Sequence, residues 1–300
     1  MGLFARARIR IEYVLFRIVA GIIGALPLDF ASAVSGRIWR FLAPWLPRQQ
    51  RAHEGLALAF PELSFAERER ILSAMWDNLG RTFAEFFHLP QILAEERITF
   101  EAPEKFDAIL KRGPFIVCSL HLGNWELAGV AGLRLKLPMT GVYQALTNPL
   151  VDRWTYEKRR PFFPGGLFDK SPATSRALIR LARAGGYTSF IADLREGRGA
   201  DVPFFGRPAL SNPFPALLAR VAGLPLYAVR VKRVGGVHFS VNIEPVEVPV
   251  SEDRDADVLS ATAALQARFE EFIRETPEQW MWSHRRWAHK GDIVKVYRRR

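Results

Sequence analysis

The chain has a single cysteine in 300 residues, Cys118, which excludes an internal disulfide and a cysteine-built zinc site. Cys118 sits inside the apolar run Pro114-Phe115-Ile116-Val117-Cys118-Ser119-Leu120, where burial disfavours the thiolate, so a cysteine nucleophile is not expected. No internal repeat, low-complexity tract or Pro/Gly/Ser linker divides the middle of the sequence. One large domain with an attached helical segment is therefore the economical reading. There is no Gly-x-Ser-x-Gly elbow, which weakens a serine hydrolase. None of the short RNA- or DNA-binding signatures occurs, so nucleic acid is not the expected partner. The N-terminal apolar run, Tyr13 to Leu28, is broken by Arg17 and falls short of the roughly 20 clean apolar residues a spanning helix needs.

What is abundant is arginine. Lys and Arg total 42 against 31 for Asp and Glu, a formal net charge of +11. An acidic partner follows, and nucleic acid, anionic lipid, a phosphorylated glycolipid and an acidic carrier protein all suit the charge alone. Arg6, Arg8 and Arg10 precede the first apolar run, and Ala31-Ser32-Ala33 after it resembles a processing site. Against a cleaved signal, Arg17 interrupts the run and the next segment continues in kind. Val34, Ile38, Phe41, Leu42, Trp45 and Leu46 recur at helical spacing among Arg37, Arg40 and Arg48. Two such helices suit a protein lying in the headgroup region, so residues 1–48 read as a membrane-anchoring segment and 49–300 as the main domain. The plainer alternative is that both helices pack on that domain. Arg298-Arg299-Arg300 at the end reads as a tail able to touch anionic lipid.

Chemistry is most legible at His121-Leu122-Gly123-Asn124-Trp125-Glu126, between a strand-like run and a helix-like stretch. Gly123 allows a sharp turn that would bring the Glu126 carboxylate back to the His121 ring. A carboxylate on one ring nitrogen leaves the other free to take a proton from a hydroxyl, which makes His121 and Glu126 the expected catalytic pair. A capped surface helix is the competing reading. Upstream, Ser64 with Glu67 predicts a capping box, and the following apolar stripe carries Asn78 and Glu85, which could face the active site but for which solvated or structural roles are favoured. Downstream, the segment from Arg153 to Arg183 is strongly basic, and Arg159 and Arg160 before the Pro164-Gly165-Gly166 turn are the expected anion binders. Asp193 ends a strand-like run and is read as orienting a catalytic or substrate group, with Arg195 binding an anion. A local ion pair is the alternative. Near the end, Pro277-Glu278-Gln279-Trp280-Met281-Trp282-Ser283-His284-Arg285-Arg286-Trp287 sets Arg285 and Arg286 among tryptophans, either to meet an anion or to wrap the sheet. Alternating strands (137–143, 187–191, 226–231, 237–243) and helices (148–159, 175–184, 217–222, 257–275) predict an α/β fold with a central mixed, largely parallel sheet and an antiparallel portion near the end.

Taken together, HLGNWE after an apolar strand, Asp193 followed by PFFG, AFPELSFAERERI and PEQWMWSHRRW resemble the bacterial late acyltransferases of lipid A biosynthesis, over about Tyr13 to Trp287. The resemblance implies a glycerolipid-acyltransferase-like fold at the cytoplasmic face of the bacterial inner membrane. It implies transfer of a fatty acyl group from acyl carrier protein to a hydroxyl of a lipid A precursor of the Kdo-lipid IVA type. The family's His and acid fall on His121 and Glu126, with Asn124 among the expected substrate-binding residues and no metal or cofactor. Leu194, Ser211 and Asn212 depart from the family's pattern, which touches acceptor and chain length rather than reaction class. Transfer to another glycolipid or aminolipid, hydrolysis, and a non-enzymatic membrane-surface protein remain as rivals.

Overall fold

A computed structural model describes residues 3–287; the expected basic tail at Arg298 to Arg300 lies outside them. Helices α1 (Leu3–Ala25) and α2 (Leu28–Leu42) open the chain, followed by α3 (Pro47–Ala59) and α4 (Phe65–Glu85). The Ser64 hydroxyl accepts from Glu67 N–H while the Glu67 carboxylate accepts from Ser64 N–H, the reciprocal cap that fixes where α4 begins. Leu72, Met75 and Trp76 turn one stripe of α4 into the core. The side chains of Ile11, Val14, Leu15, Ile18 and Ile22 on α1, and of Phe30, Ile38 and Phe41 on α2, stay largely exposed. Among the described residues no helix is long and apolar enough to cross a membrane. Helix α2 lies close against α4 because both present glycine: a Cβ on Gly80 would sit 2.6 Å from the Ser35 carbonyl, and one on Gly36 2.7 Å from Asp77. Ala31 and Ser32, the apparent processing site, are buried at this contact.

The remaining elements are α5 (Leu89–Ala94), β1 (Ile98–Phe100), α6 (Pro103–Lys111), β2 (Ile116–Ser119), α7 (Leu127–Arg134), β3 (Met139–Tyr143), α8 (Pro149–Arg159), β4 (Gly166–Asp169), α9 (Pro172–Arg183), β5 (Tyr187–Ile191), β6 (Ala200–Phe204), β7 (Arg207–Ser211), α10 (Phe214–Ala222), β8 (Leu226–Gly235), β9 (His238–Val246) and α11 (Arg254–Glu275). Seven strands form one sheet in the order β1-β9-β8-β2-β5-β3-β4, and only the β8–β9 pairing is antiparallel. The sheet is therefore mixed and largely parallel, with helices on both faces. Alternate residues of β2 enter two cores. Ile116 and Cys118 pack with α4, α9, α10 and α11, whereas Val117, with Phe115 just before the strand, packs with α6 and α7.

Several elements depart from the sequence-based expectation. Helix α9 starts three residues early because the Ser171 hydroxyl caps it, accepting from Thr174 N–H, and Pro172 suits the first turn. The PFFG segment is the aromatic turn its sequence suggests; what the sequence does not show is the antiparallel hairpin, β6–β7, that it closes, with Phe205 and Gly206 both at positive φ. Strands β1 and β4, of three and four residues, are too short to leave a periodic signal.

Candidate active site

Two strand ends assemble the chemistry. In the parallel β2–β5 pair Ser119 lies opposite Ile191, and Ala192 N–H donates to the Ser119 carbonyl at 3.0 Å. Carrying that register two residues further sets His121 beside Asp193. His121 Nδ1 lies 2.8 Å from one Asp193 oxygen, while the other accepts from His121 N–H at 2.9 Å and from the Trp280 indole at 2.7 Å. Asp193 is wholly buried. Burial alone would raise its pKa, but the His121 charge, the two His121 hydrogen bonds and the indole hold it below the usual carboxylate range. An ionised carboxylate accepts only, so Nδ1 carries the proton and Nε2 is left as the basic nitrogen.

Glu126 does not hold the imidazole, contrary to the sequence reading. Arg159 takes its carboxylate in a fork, Nε at 2.8 Å and Nη2 at 2.5 Å. Arg159 also lies over the Phe86 ring, and Glu126 keeps its guanidinium protonated against the cost of burial. The helix that follows leads Glu126 toward α8 rather than back over Gly123. Both His121 and Glu126 nonetheless line one cavity of about 700 Å³ at the C-terminal edge of the sheet, the place where open α/β sheets take ligands. Its apolar wall includes Val142, Phe162, Phe163, Leu167 and Phe214; its polar wall includes Arg159, Lys170, Arg195 and His284. Gly141 makes room for the Phe163 ring, which a Cβ there would approach to 2.7 Å.

The loop carrying His121 is gripped from behind. Gly123 has φ +60°, and a Cβ on it would fall 1.9 Å from the Val231 carbonyl, so only glycine fits. Its carbonyl accepts from Asn78 and from the Thr82 hydroxyl, both at 2.9 Å. The N–H groups of Gly123 and Asn124, backbone donors on the turn after His121, are spent on the carbonyls of Gln279 and Val231. Asn124, expected to bind substrate, is fully buried: its amide donates to Glu85 at 2.8 Å and its oxygen accepts from Glu126 N–H at 3.1 Å. Glu85 is also fully buried and takes Arg233 at 2.5 and 2.9 Å and the Ser32 hydroxyl at 2.7 Å. One carboxylate thus ties α2, β8 and the His121 loop together.

The sequence comparisons bear on this geometry. The family model described as "Bacterial lipid A biosynthesis acyltransferase" matches residues 4–289. The chain belongs to that family. It is an acyltransferase, similar to the lipid A biosynthesis lauroyltransferase of Escherichia coli, at 27% identity over 82% of this chain and 81% of the relative. The lipid A biosynthesis palmitoleoyltransferase of the same organism is 24% identical over 87% and 86%. A phosphatidylinositol mannoside acyltransferase of Mycobacterium tuberculosis is 26% identical over 80% and 77%. Among solved structures, the 1-acyl-sn-glycerophosphate acyltransferase of Thermotoga maritima aligns over 83% of this chain and 97% of its own, with a TM-score of 0.38 and 14% identity. At that score the alignment carries no argument, and the fold rests on the strand order itself.

The acyltransferase uses the other expected residues unevenly. Arg195 lines the cavity. Arg160 is exposed beside Glu157 and Arg285 is exposed, and neither is on the cavity wall. Arg286 is buried rather than facing substrate. It donates to the Leu210 carbonyl, Ser211 and Gln266 and lies over the Phe204 ring, and burial pushes its pKa down to about 10. The tail therefore wraps the sheet. Met281 N–H donates to the His121 carbonyl at 3.0 Å, running the tail alongside the loop, with Trp280 delivered to Asp193. Trp280 is the functional contact that sequence reasoning missed, although the density of tryptophan marked its segment.

Proposed function

We propose that the acyltransferase moves a fatty acyl group from the thioester of an acyl carrier protein to a hydroxyl of a lipid A precursor, without a covalent acyl-enzyme. The observation that carries this reading is His121, backed by a buried carboxylate, opening onto a cavity lined by apolar side chains and by the Arg159–Glu126 and Lys170–Glu196 pairs with Arg195. His121 Nε2 takes the proton of the acceptor hydroxyl as its oxygen attacks the thioester carbonyl, and Asp193 stabilises the imidazolium that forms. The tetrahedral intermediate collapses, the C–S bond breaks, and the departing thiolate recovers the proton from His121. Such base catalysis typically contributes about a hundred- to ten-thousand-fold. With the Gly123 and Asn124 N–H groups already bonded, the developing oxyanion falls to the cationic side chains of the cavity, of which Arg159 is shared with Glu126. The apolar wall accepts the acyl chain.

The bland exterior of α1 and α2 fits the same reading. Their exposed apolar side chains stand among Arg6, Arg10, Arg37 and Arg40, the pattern of helices that lie in an anionic headgroup layer. We place the protein at the cytoplasmic face of the bacterial inner membrane, with residues 1–48 as the docking segment. A purified chain given acyl carrier thioesters and a lipid A precursor is expected to yield a product heavier by one acyl group. No such product, under conditions where His121→Ala serves as the inactive control, would remove the reading. The mannoside acyltransferase relative favours one rival, the same chemistry on another glycolipid. An unchanged lipid A acyl count in cells lacking the protein would select it.

A further inference from the structure

Helix α9 buries Thr174, Leu178 and Ala182. On its other side Arg176, Arg180 and Arg183 recur at helical spacing and are exposed. Among the described residues none of the three makes a hydrogen bond, an ion pair or a ring contact, and the helix contains no acidic residue. Local stability explains only part of the stripe. Arg180 and Arg183 stand in the last turn, where the helix dipole favours a cation, but Arg176 stands near the N-terminus, where it is disfavoured.

The same helix touches the cavity. Ser171, Thr174 and Ser175 line it beside Arg195, Arg198 and the Lys170–Glu196 ion pair, and from there the arginines of α9 carry positive charge along the helix for about 10 Å. We propose that this stripe is the docking surface for the acidic carrier domain that delivers the acyl thioester, an inference that rests on the carrier-dependent reading above. Charge complementarity identifies the occupant. Guanidinium groups pair with carboxylates through paired N–H donors, and a cationic field at the cavity mouth steers an acidic partner so that its thioester arm enters beside His121. The stripe sets donor affinity and takes no part in the chemical step.

The test compares one acyl chain presented in two ways, on acyl carrier protein and as the free acyl-pantetheine thioester, with the same glycolipid acceptor. In the full-length chain, Arg176→Glu combined with Arg180→Glu and Arg183→Glu is expected to raise KM for the carrier thioester at least tenfold. Its kcat, and KM for acyl-pantetheine, stay at wild-type values. The corresponding Arg→Gln triple falls between, and added salt weakens the wild-type chain toward the variant on the carrier donor only. An unchanged carrier KM overturns the proposal. So does an equal loss on both donors, which would mark a structural role. Lost binding to phosphatidylglycerol vesicles with carrier KM intact would make the stripe a membrane contact and also overturn it. A wild-type chain inert on both donors instead defeats the functional reading, and the docking surface with it.

Discussion

Two of the carboxylates around the His121 loop, Asp193 and Glu126, are treated in opposite ways. Asp193 is sealed from solvent and held by the loop's own backbone, the imidazole and an indole. Glu126 opens onto the cavity and lies in the fork of Arg159. A carboxylate already neutralised by a guanidinium has little left to offer an imidazolium, whereas one backed by neutral donors keeps its charge for it. The difference assigns Asp193 to the ring and Glu126 to the placement of a cation.

The sharpest way to break that assignment is to remove each partner in turn. His121→Ala should cut transfer by about a thousandfold or more, since the base itself is lost. Asp193→Asn keeps the shape but loses the charge, and should lower kcat by about a hundred- to ten-thousand-fold. Glu126→Gln should cost roughly tenfold to a hundredfold, expressed partly in KM because Arg159 is left unanchored. If Glu126→Gln proves the more damaging in steady-state kinetics, the two roles are reversed.

The wall behind the loop offers a second break. Gly123→Ala drives a methyl into the Val231 carbonyl and should lower both activity and melting temperature. Glu85→Gln leaves Arg233 buried without its counter-charge, a change of about 3 kcal/mol in denaturant unfolding. Loss of the same size from Ser32→Ala would instead mean that the hydroxyl, not the ion pair, carries that junction.

The smallest effect is in acid. Because the folded pKa of Asp193 is depressed, its contribution is complete above the unfolded value of about 3.9 and is lost as pH falls through the folded value. Melting temperature should therefore drop as pH falls below about 4. In His121→Ala, where the main stabiliser of that charge is gone and burial dominates, the drop should flatten. An unaltered slope would show that the indole and backbone suffice.

The sequence made the strand ends visible but not their pairing. His121 and Asp193 each follow an apolar run, and that much is local. Their contact depends on β5 inserting between β2 and β3, a choice made by sheet order across dozens of residues that no short pattern encodes. Spacing favoured Glu126 for the imidazole, since it is near in sequence; the helix beginning at Leu127 and the reach of Arg159 from α8 redirected it. Asn78 and Glu85 read correctly as structural, because they fall on the buried stripe of α4. Arg286 illustrates the converse: an arginine among aromatics signals anion binding or burial with equal force, and only the fold of the tail decides between them.

Cys118 sits at the centre of the sheet with no solvent contact, and burial drives its thiol well above the ordinary range. If the donor is the thioester proposed above, each turnover frees one sulfhydryl, and the folded polypeptide presents none of its own. A disulfide chromogen added to the reaction therefore counts product continuously against a silent background. Any slow, substrate-independent rise in that colour registers denaturation, one equivalent per chain, so the same cuvette reports catalysis and its own decay.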